Sequence, residues 1–197
     1  MDNIWAIILA AGESKRMGFP KMMLDFNGKT LLENAIGTVR DSDIDHMVVV
    51  LGAWRESILE ILSRHGINSC FNENYKSGML SSVQCGFKNV PSDAEAVFVF
   101  QGDQPLISPT TVNALISAFR KSPKDIVIPV HERKRGHPIL IGKRYRDEID
   151  TLDAGIGLRE LTSNHPDSIL EVDTGDPGIL RDFDTYEEYL KEINKFR

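Results

Sequence analysis

The chain has 197 residues, 41% hydrophobic and 26% charged, which is ordinary globular usage; it can bury a core, which excludes a disordered tail or a disulfide-dependent miniprotein. Lys and Arg number 23 against 29 Asp and Glu, a net charge of −6, so overall charge draws it to neither nucleic acid nor an anionic membrane. Any phosphate site must be a local concentration of positive charge.

Met-Asp-Asn leads into an apolar run, Ile4–Ala10, that lacks a basic leader and is too short to span a bilayer, so it predicts a buried strand. Thr30 and Glu33 form a capping box ahead of Leu31, Leu32, Ala35 and Ile36, which predicts a helix. Met47–Leu51 predicts a second strand. Trp54–His65 carries Ile58, Ile61 and Leu62 on one helical face, with Gly66 placed as a C-cap. Cys70 and Cys85 form no CxxC and have no Cys/His cluster beside them, so reduced, packed thiols in a cytoplasmic protein are expected. Ala96–Phe100 predicts a strand, and Ser108-Pro109 reads as N-cap and first residue of a helix carrying Val112, Leu115, Ile116 and Phe119. Ile126–Val130 and Ile139–Ile141 predict strands, with the basic stretch from His131 to His137 as a hairpin turn. Beyond Lys143 shorter helical pieces precede an irregular loop over Asp173–Gly178. Thr185 and Glu188 repeat the capping box before a last helix expected to end near Phe196.

Strands without alternation are covered on both faces, and strands that alternate with helices pair in parallel. No repeat or linker divides the chain. The expected architecture is therefore a single α/β domain over residues 1–197, a mostly parallel Rossmann-like sheet flanked by helices, with a small antiparallel element.

In such a sheet, ligands sit beyond the carboxyl ends of the strands. The loop after the first strand, Ala11 to Lys21, combines small residues with Arg16 and Lys21 and suits a polyphosphate; a tight turn with solvated basic residues would look alike. Gly28-Lys29-Thr30 resembles the end of a P-loop, but Met23 stands where that motif needs glycine, and no GxGxxG follows a strand. After Ala96–Phe100 comes Gln101-Gly102-Asp103-Gln104-Pro105, whose carboxylate is placed either to hold a divalent cation or to cap a turn.

The run Leu9–Lys21, LAAGESKRMGFPK, resembles the signature of nucleotidyltransferases of the GT-A-like α/β fold, and more narrowly that of the MobA/MocA-like molybdenum cofactor nucleotidylyltransferases. The resemblance continues collinearly through Met22-Met23-Leu24, Gly78–Val83, Gly102–Pro105, Arg135–Leu140 and Asp176-Pro177-Gly178 to Asp182–Thr185. Ala10-Ala11-Gly12 and Gly136-His137-Pro138 are similar to the cytidylyl rather than the guanylyl branch.

That resemblance implies a nucleotide site made by Leu9, Ala10, Ala11, Gly12, Ser14, Arg16, Lys21, Gly78, Ser81 and Ser82, the last three lying ahead of a helix. It implies catalytic roles for Arg16 on the leaving pyrophosphate, Lys21 on the α-phosphate and Asp103 on Mg2+ (or Mn2+), with Asp182 or Asp184 as a second metal carboxylate, and acceptor contacts from Gly136, His137 and Pro138. Without it, Asp182 and Asp184 read as caps of the last helix. Arg133, Lys134 and Arg135 read as a solvated turn or as a receiver for an anionic acceptor. His46, His65 and His165 read as structural or surface residues, Met22 and Met23 as packing under the first loop, and Trp54, just after a strand end, as core ahead of a cleft-lining role.

The implied reaction takes CTP and a molybdopterin-type phosphorylated pterin and serves a molybdenum hydroxylase apoenzyme, with no nucleic acid or membrane partner. Three alternatives remain at this point. They are a cytidylyltransferase for a sugar or isoprenoid alcohol phosphate, a guanylyl or other nucleotidylyl donor, and a non-catalytic protein that delivers a cofactor to a hydroxylase.

Overall fold

A computed structural model describes residues 3–194. Its centre is strand β1 (Ile4–Ala10), whose side chains alternate between two cores because successive residues of a strand point to opposite faces. Ile4, Ala6, Ile8 and Ala10 face one core, Ile7 and Leu9 the other.

The first core is closed by α1 (Leu31–Arg40), α2 (Arg55–His65) and α4 (Pro109–Lys121), through Leu32, Ile36, Ile58, Leu62, Val112 and Leu115. The second is closed by α3 (Met79–Lys88), α5 (Arg146–Ile149) and α6 (Leu158–Asn164), through Leu80, Val83, Ile149 and Leu161. Local signals start and stop these helices as expected. Thr30 and Glu33 form a complete capping box on α1, Gly66 ends α2 in the left-handed region at φ 63°, and Ser108 caps α4 ahead of Pro109.

The sheet also contains β4 (His46–Leu51), β5 (Ser69–Phe71), β6 (Ala96–Gln101), β7 (Ile126–His131), β8 (Lys134–Arg135), β9 (Ile139–Gly142) and β10 (Ile169–Asp173). The strand order is β10-β7-β9-β6-β1-β4-β5, with β8 paired to β7. Pairs β1/β4, β1/β6, β4/β5 and β7/β10 are parallel; β9 runs antiparallel to β6 and β7. A hairpin is present, but its turn is shorter than the expected stretch from His131 to His137: Glu132 and Arg133, at φ 48° and 64°, make a two-residue primed turn, and Lys134–Arg135 pair with β7 as β8.

The short strands β5, β8 and β10 were not expected from the sequence, nor were those at Asp25–Phe26 and Lys29–Thr30. β10 also shortens the irregular loop, because Asp173 still belongs to the strand. A separate two-stranded sheet, β2 (Asp25–Phe26) with β3 (Lys29–Thr30), packs with the last helix α7 (Tyr186–Ile193) around Phe26, Leu31, Phe183 and Tyr189. The Thr185–Glu188 capping box starts α7, which ends at Ile193; Phe196 lies outside the described residues. Cys85 Sγ lies 3.7 Å from Cys70 Sγ, and both thiols are half-buried. No helix among the described residues is long and apolar enough to cross a membrane.

The chain leaves β1 toward β4 and β5 on one side and returns through α3 to β6 on the other. The carboxyl ends of β1 and β6 therefore flank the point where strand order reverses, where a crevice forms. α3 packs so closely beside β1 that a Cβ on Gly86 would lie 2.5 Å from Ile7 Cγ2. Ala is the better helix former by up to about 1 kcal/mol, but overpacking typically costs about 1–3 kcal/mol. Gly86→Ala should therefore destabilise the protein, seen as a lower urea midpoint with an unchanged slope.

Candidate active site

Two loops leave the switch point side by side. Leu9 pairs with Gln101, and the Gly102 N–H donates to Leu9 O at 3.0 Å, so the loop after β1 and the Gly102–Pro105 turn share one origin. Gly102 is needed there because a Cβ would crowd Leu9 O at 2.9 Å and Met22 Sδ at 3.1 Å. Met22 is buried beneath the loop as expected, and Met23 packs against the same core.

The first loop is held from three sides. Gly52 packs its Cα face on Ala11, the Ala53 N–H donates to Ala11 O at 3.2 Å, and the Trp54 indole N–H donates to Glu13 O at 3.2 Å. Trp54 thus restrains the loop as well as joining the core. Ser14 takes a left-handed conformation, φ 51°, and its hydroxyl accepts from the Lys21 backbone N–H at 3.2 Å, which folds the loop back on itself. A Cβ on Gly12 would meet nothing within 4 Å, so its bare backbone faces open cleft.

Across this loop stand three carboxylates. Oxygens of Asp103, Asp182 and Asp184 lie within 4.8 Å of one another, although about eighty residues separate the first from the others. Lys21 Nζ is ion-paired with Asp103 and lies 3.5 Å from Asp184 Oδ1. Arg16 Nη2 lies 2.9 Å from Asp184 Oδ2. Burial raises the Asp182 carboxyl above its ordinary pKa, and the charges of Asp103 and Asp184 raise it further. Burial acts the same way on Asp184, but the Arg16 hydrogen bond and the Lys21 and Arg16 charges outweigh it, and its pKa is lowered. A set of hard oxygen donors of this kind fits a divalent cation. Neither His131 nor His137 belongs to it.

Three cavities run together along the cleft. One of about 290 Å3 lies under Gly12–Met17 with Lys21 and Asp184. A second, about 270 Å3, shares Gly12 and Lys21 with it and adds Leu9, Ala11, Gly78, Met79, Ser82 and Asp103. The largest, about 720 Å3, shares Met79 and Gln101 with the second and reaches Arg135, Gly136, His137, Ile156 and Arg159. Sequence reasoning missed Ile156 and Arg159, because only tertiary packing brings the start of α6 to β7 and β9.

The structure places three of the predicted residues or groups differently from the expectation. α3 begins at Met79, so Ser81 and Ser82 lie in its first turn rather than ahead of it, and Gly78 is the N-cap at φ 98°. Ala10 is buried in the sheet and belongs to the first core. Gly136 lines the large cavity, yet its lack of a side chain answers to its own chain, since a Cβ would strike the Ile179 carbonyl. Arg135 is tied to Glu171 at 2.6 Å, while Arg133 and Lys134 stay exposed on the hairpin. The remaining histidines have structural partners: His46 against Trp5, His65 on Glu33 at 3.1 Å, His165 on Glu148 at 2.7 Å. Burial and neighbouring Cys85 push the Cys70 thiol up to about 12, which disfavours the thiolate that a nucleophile needs.

Comparison with known proteins gives one consistent match. The model of the MobA-like NTP transferase domain matches residues 6–169. Among curated proteins, a probable molybdenum cofactor guanylyltransferase of Natranaerobius thermophilus is 34% identical over 66% of this chain and 61% of its own length. The nicotine blue oxidoreductase of Paenarthrobacter nicotinovorans is 30% identical over 95% of both chains. The molybdenum cofactor cytidylyltransferase of Escherichia coli is 28% identical over 98% of this chain and all (100%) of its own. Among solved structures, Rv0371c of Mycobacterium tuberculosis superposes with a TM-score of 0.84 at 24% identity, covering 98% of both chains. That protein was also solved in complex with manganese.

His137 lies on the wall between the large cavity and Asp103. Its burial lowers its pKa below 6.5, against a weaker opposing pull from the Val99 backbone and the Asp103 charge, and its Nδ1 is buried without a partner. The folded state therefore holds it neutral, while the unfolded chain takes up a proton below about pH 6.5. Stability from His137 is present above that pH and is lost as pH falls toward its folded value. Relative to His137→Gln, the wild-type protein should lose up to about 1.4 kcal/mol per pH unit in that window. Urea unfolding from pH 7.5 to 5 measures the difference; parallel curves for the two proteins would refute it.

Proposed function

The chain belongs to the MobA-like NTP transferase family and is a nucleotidyltransferase; on that premise, we propose that it transfers CMP from CTP to the terminal phosphate of molybdopterin or its molybdenum cofactor, with release of pyrophosphate. The observation that carries this reading is the meeting of Arg16 and Lys21 with Asp103, Asp182 and Asp184 at the switch point, beside a second, larger cavity. The end-to-end likeness to the Escherichia coli cytidylyltransferase supports the cytidylyl donor and the cofactor substrate, as does the Ala10-Ala11-Gly12 loop. The guanylyltransferase relative matches a smaller share of the chain.

In this reading the triphosphate lies along the first loop against the backbone from Ala11 to Ser14, and the base lies between Leu9, Gly78 and the serines of α3. The phosphorylated pterin enters the large cavity between Met79 and Ile156, with Gly136 and His137 on its wall and Pro138 buried behind them, outside the lining. A phosphate oxygen of the acceptor attacks the α-phosphorus in line; that P–O bond forms as the bond to the β-phosphate breaks, and pyrophosphate leaves with the bonding pair. The acceptor phosphate is largely ionised at neutral pH, so no protein nucleophile or strong base is needed. Lys21 neutralises charge on the α-phosphate, and the fixed fork of Arg16 receives the pyrophosphate.

Asp103, Asp182 and Asp184 would hold Mg2+, or Mn2+ in its place. When bound, the ion supplies charge neutralisation at the triphosphate oxygens. The product would serve a molybdenum hydroxylase apoenzyme, and delivery to such a partner is compatible with synthesis.

The test is pyrophosphate release with each of CTP, GTP, ATP and UTP, given Mg2+ and molybdenum cofactor under anaerobic conditions. Release with CTP is expected. Release with GTP would move the chain to the guanylyl branch. No release with any of them would favour a carrier, or an oxidoreductase like the Paenarthrobacter relative, which matches the chain over nearly its whole length.

Asp103→Ala should lower turnover on the order of 100-fold or more with the fold intact. Lys21→Ala should lower kcat more than it raises KM, and a pure KM effect would demote Lys21 to a binding residue.

A further inference from the structure

Asn72 follows β5 and is buried, with 4% of its surface exposed. Its backbone N–H donates to Leu51 O at 2.9 Å, which pins it to the end of β4. Its side-chain Oδ1 accepts from the Asn74 backbone N–H at 2.9 Å. Its Nδ2 donates to Ser81 Oγ at 2.9 Å and to Ser82 Oγ at 3.0 Å. A backbone N–H can only donate, so the amide oxygen must face Asn74 and the amide nitrogen must face the two serines.

Both hydroxyls therefore act as acceptors toward Asn72, and each has one proton left to place. Ser81 Oγ donates to the carbonyls of Gly78 or Asn74, at 2.8 and 2.9 Å. Ser82 differs. Among the described residues no acceptor takes its proton, and Ser82 lines the middle cavity opposite Gly12, beside Gly78 and Met79.

We propose that Asn72 is a positioning residue for nucleotide selection: its N–H takes one lone pair of Ser82 and offers that hydroxyl no acceptor, which leaves the Ser82 proton to be donated toward an acceptor atom on the nucleobase edge. N3 and O2 of cytosine are such atoms. The inference rests on the nucleotidyl-transfer reading, and it assigns the polarity of one wall of that site. Asn72 touches neither the base nor the reacting phosphorus and acts only through Ser82.

The test inverts that polarity. Asn72→Asp is nearly isosteric and keeps the bond from Asn74, but a carboxylate only accepts. Ser82 would then turn its proton toward residue 72 and present lone pairs to the base. With the nucleoside triphosphate that the wild-type protein uses, KM should rise roughly tenfold, the worth of one hydrogen bond lost from a buried acceptor, with little change in kcat. Ser82→Ala, a substitution within a helix to the best helix former, should raise KM by a similar factor. The double variant should show no further rise, because the first substitution acts through the second residue.

Additive effects, an unchanged KM in either single variant, or a loss confined to kcat would overturn the proposal. If Asn72→Asp fails to fold, Ser82→Ala alone decides it: an unchanged KM refutes the donor role. If the wild-type protein turns over no nucleoside triphosphate, both this inference and the nucleotidyl-transfer reading fall. If it does and these substitutions leave KM unmoved, only the inference falls.

Discussion

Burial of Phe183 is the constraint on which the site depends. Its ring sits 5.7 Å from Phe26 and 6.1 Å from Tyr189, and the Tyr189 hydroxyl donates to Asp25 O at 2.6 Å, tying α7 to the small sheet. The chain enters and leaves this stretch extended at Arg181 and Thr185. Neighbours of an inward-pointing residue in extended chain point the opposite way. With Phe183 buried, Asp182 and Asp184 both face the crevice, which is why the structure brings both to Asp103 instead of choosing one. A fully buried Phe contributes about 1.5–3 kcal/mol, and that apolar burial holds together carboxylates that repel one another.

The repulsion explains why the basic residues are where they are. A protein with a net charge of −6 has no general attraction for a polyphosphate. Lys21 and Arg16 supply positive charge only where the three aspartates supply negative charge. The opposite shifts of Asp182 and Asp184 follow from that layout. Asp184 has Arg16 and Lys21 beside it, whereas Asp182 has the like charges of Asp103 and Asp184 beside it. Carboxylates shifted in opposite directions within one cleft are a pattern that clusters at functional sites.

Much of this was legible in the sequence because it is written in local signals. The capping boxes at Thr30 and Thr185, the left-handed Gly66 and the apolar runs of β1, β4, β6, β7 and β9 each declare themselves within a few residues. The site residues Arg16, Lys21 and Asp103 were legible because they sit just after strands, where a parallel sheet puts its ligands. Apart from the short local hairpins at Asp25–Thr30 and His131–Lys134, what was missed depends on contacts between distant segments. β5 is three residues long and half-exposed at the sheet edge, with no periodicity to read. β10 alternates, but its five residues, Ile169–Asp173, gain strand character from pairing with β7. Trp54 reads as a core tryptophan until its indole is seen on Glu13, and Asn72 reads as a loop asparagine until α3 is laid over it.

The order of the cavities carries the chemistry one step further. The two smaller ones share Gly12 and Lys21, and the larger joins them through Met79 and Gln101. A displacement at phosphorus needs the attacking and leaving groups on opposite sides of one atom, and Lys21 stands between the first-loop cavity and Asp103. On the proposed reading, a leaving group under the first loop and an acceptor entering from the large cavity would meet that requirement, and the cleft would do by placement what a protein nucleophile would otherwise have to do.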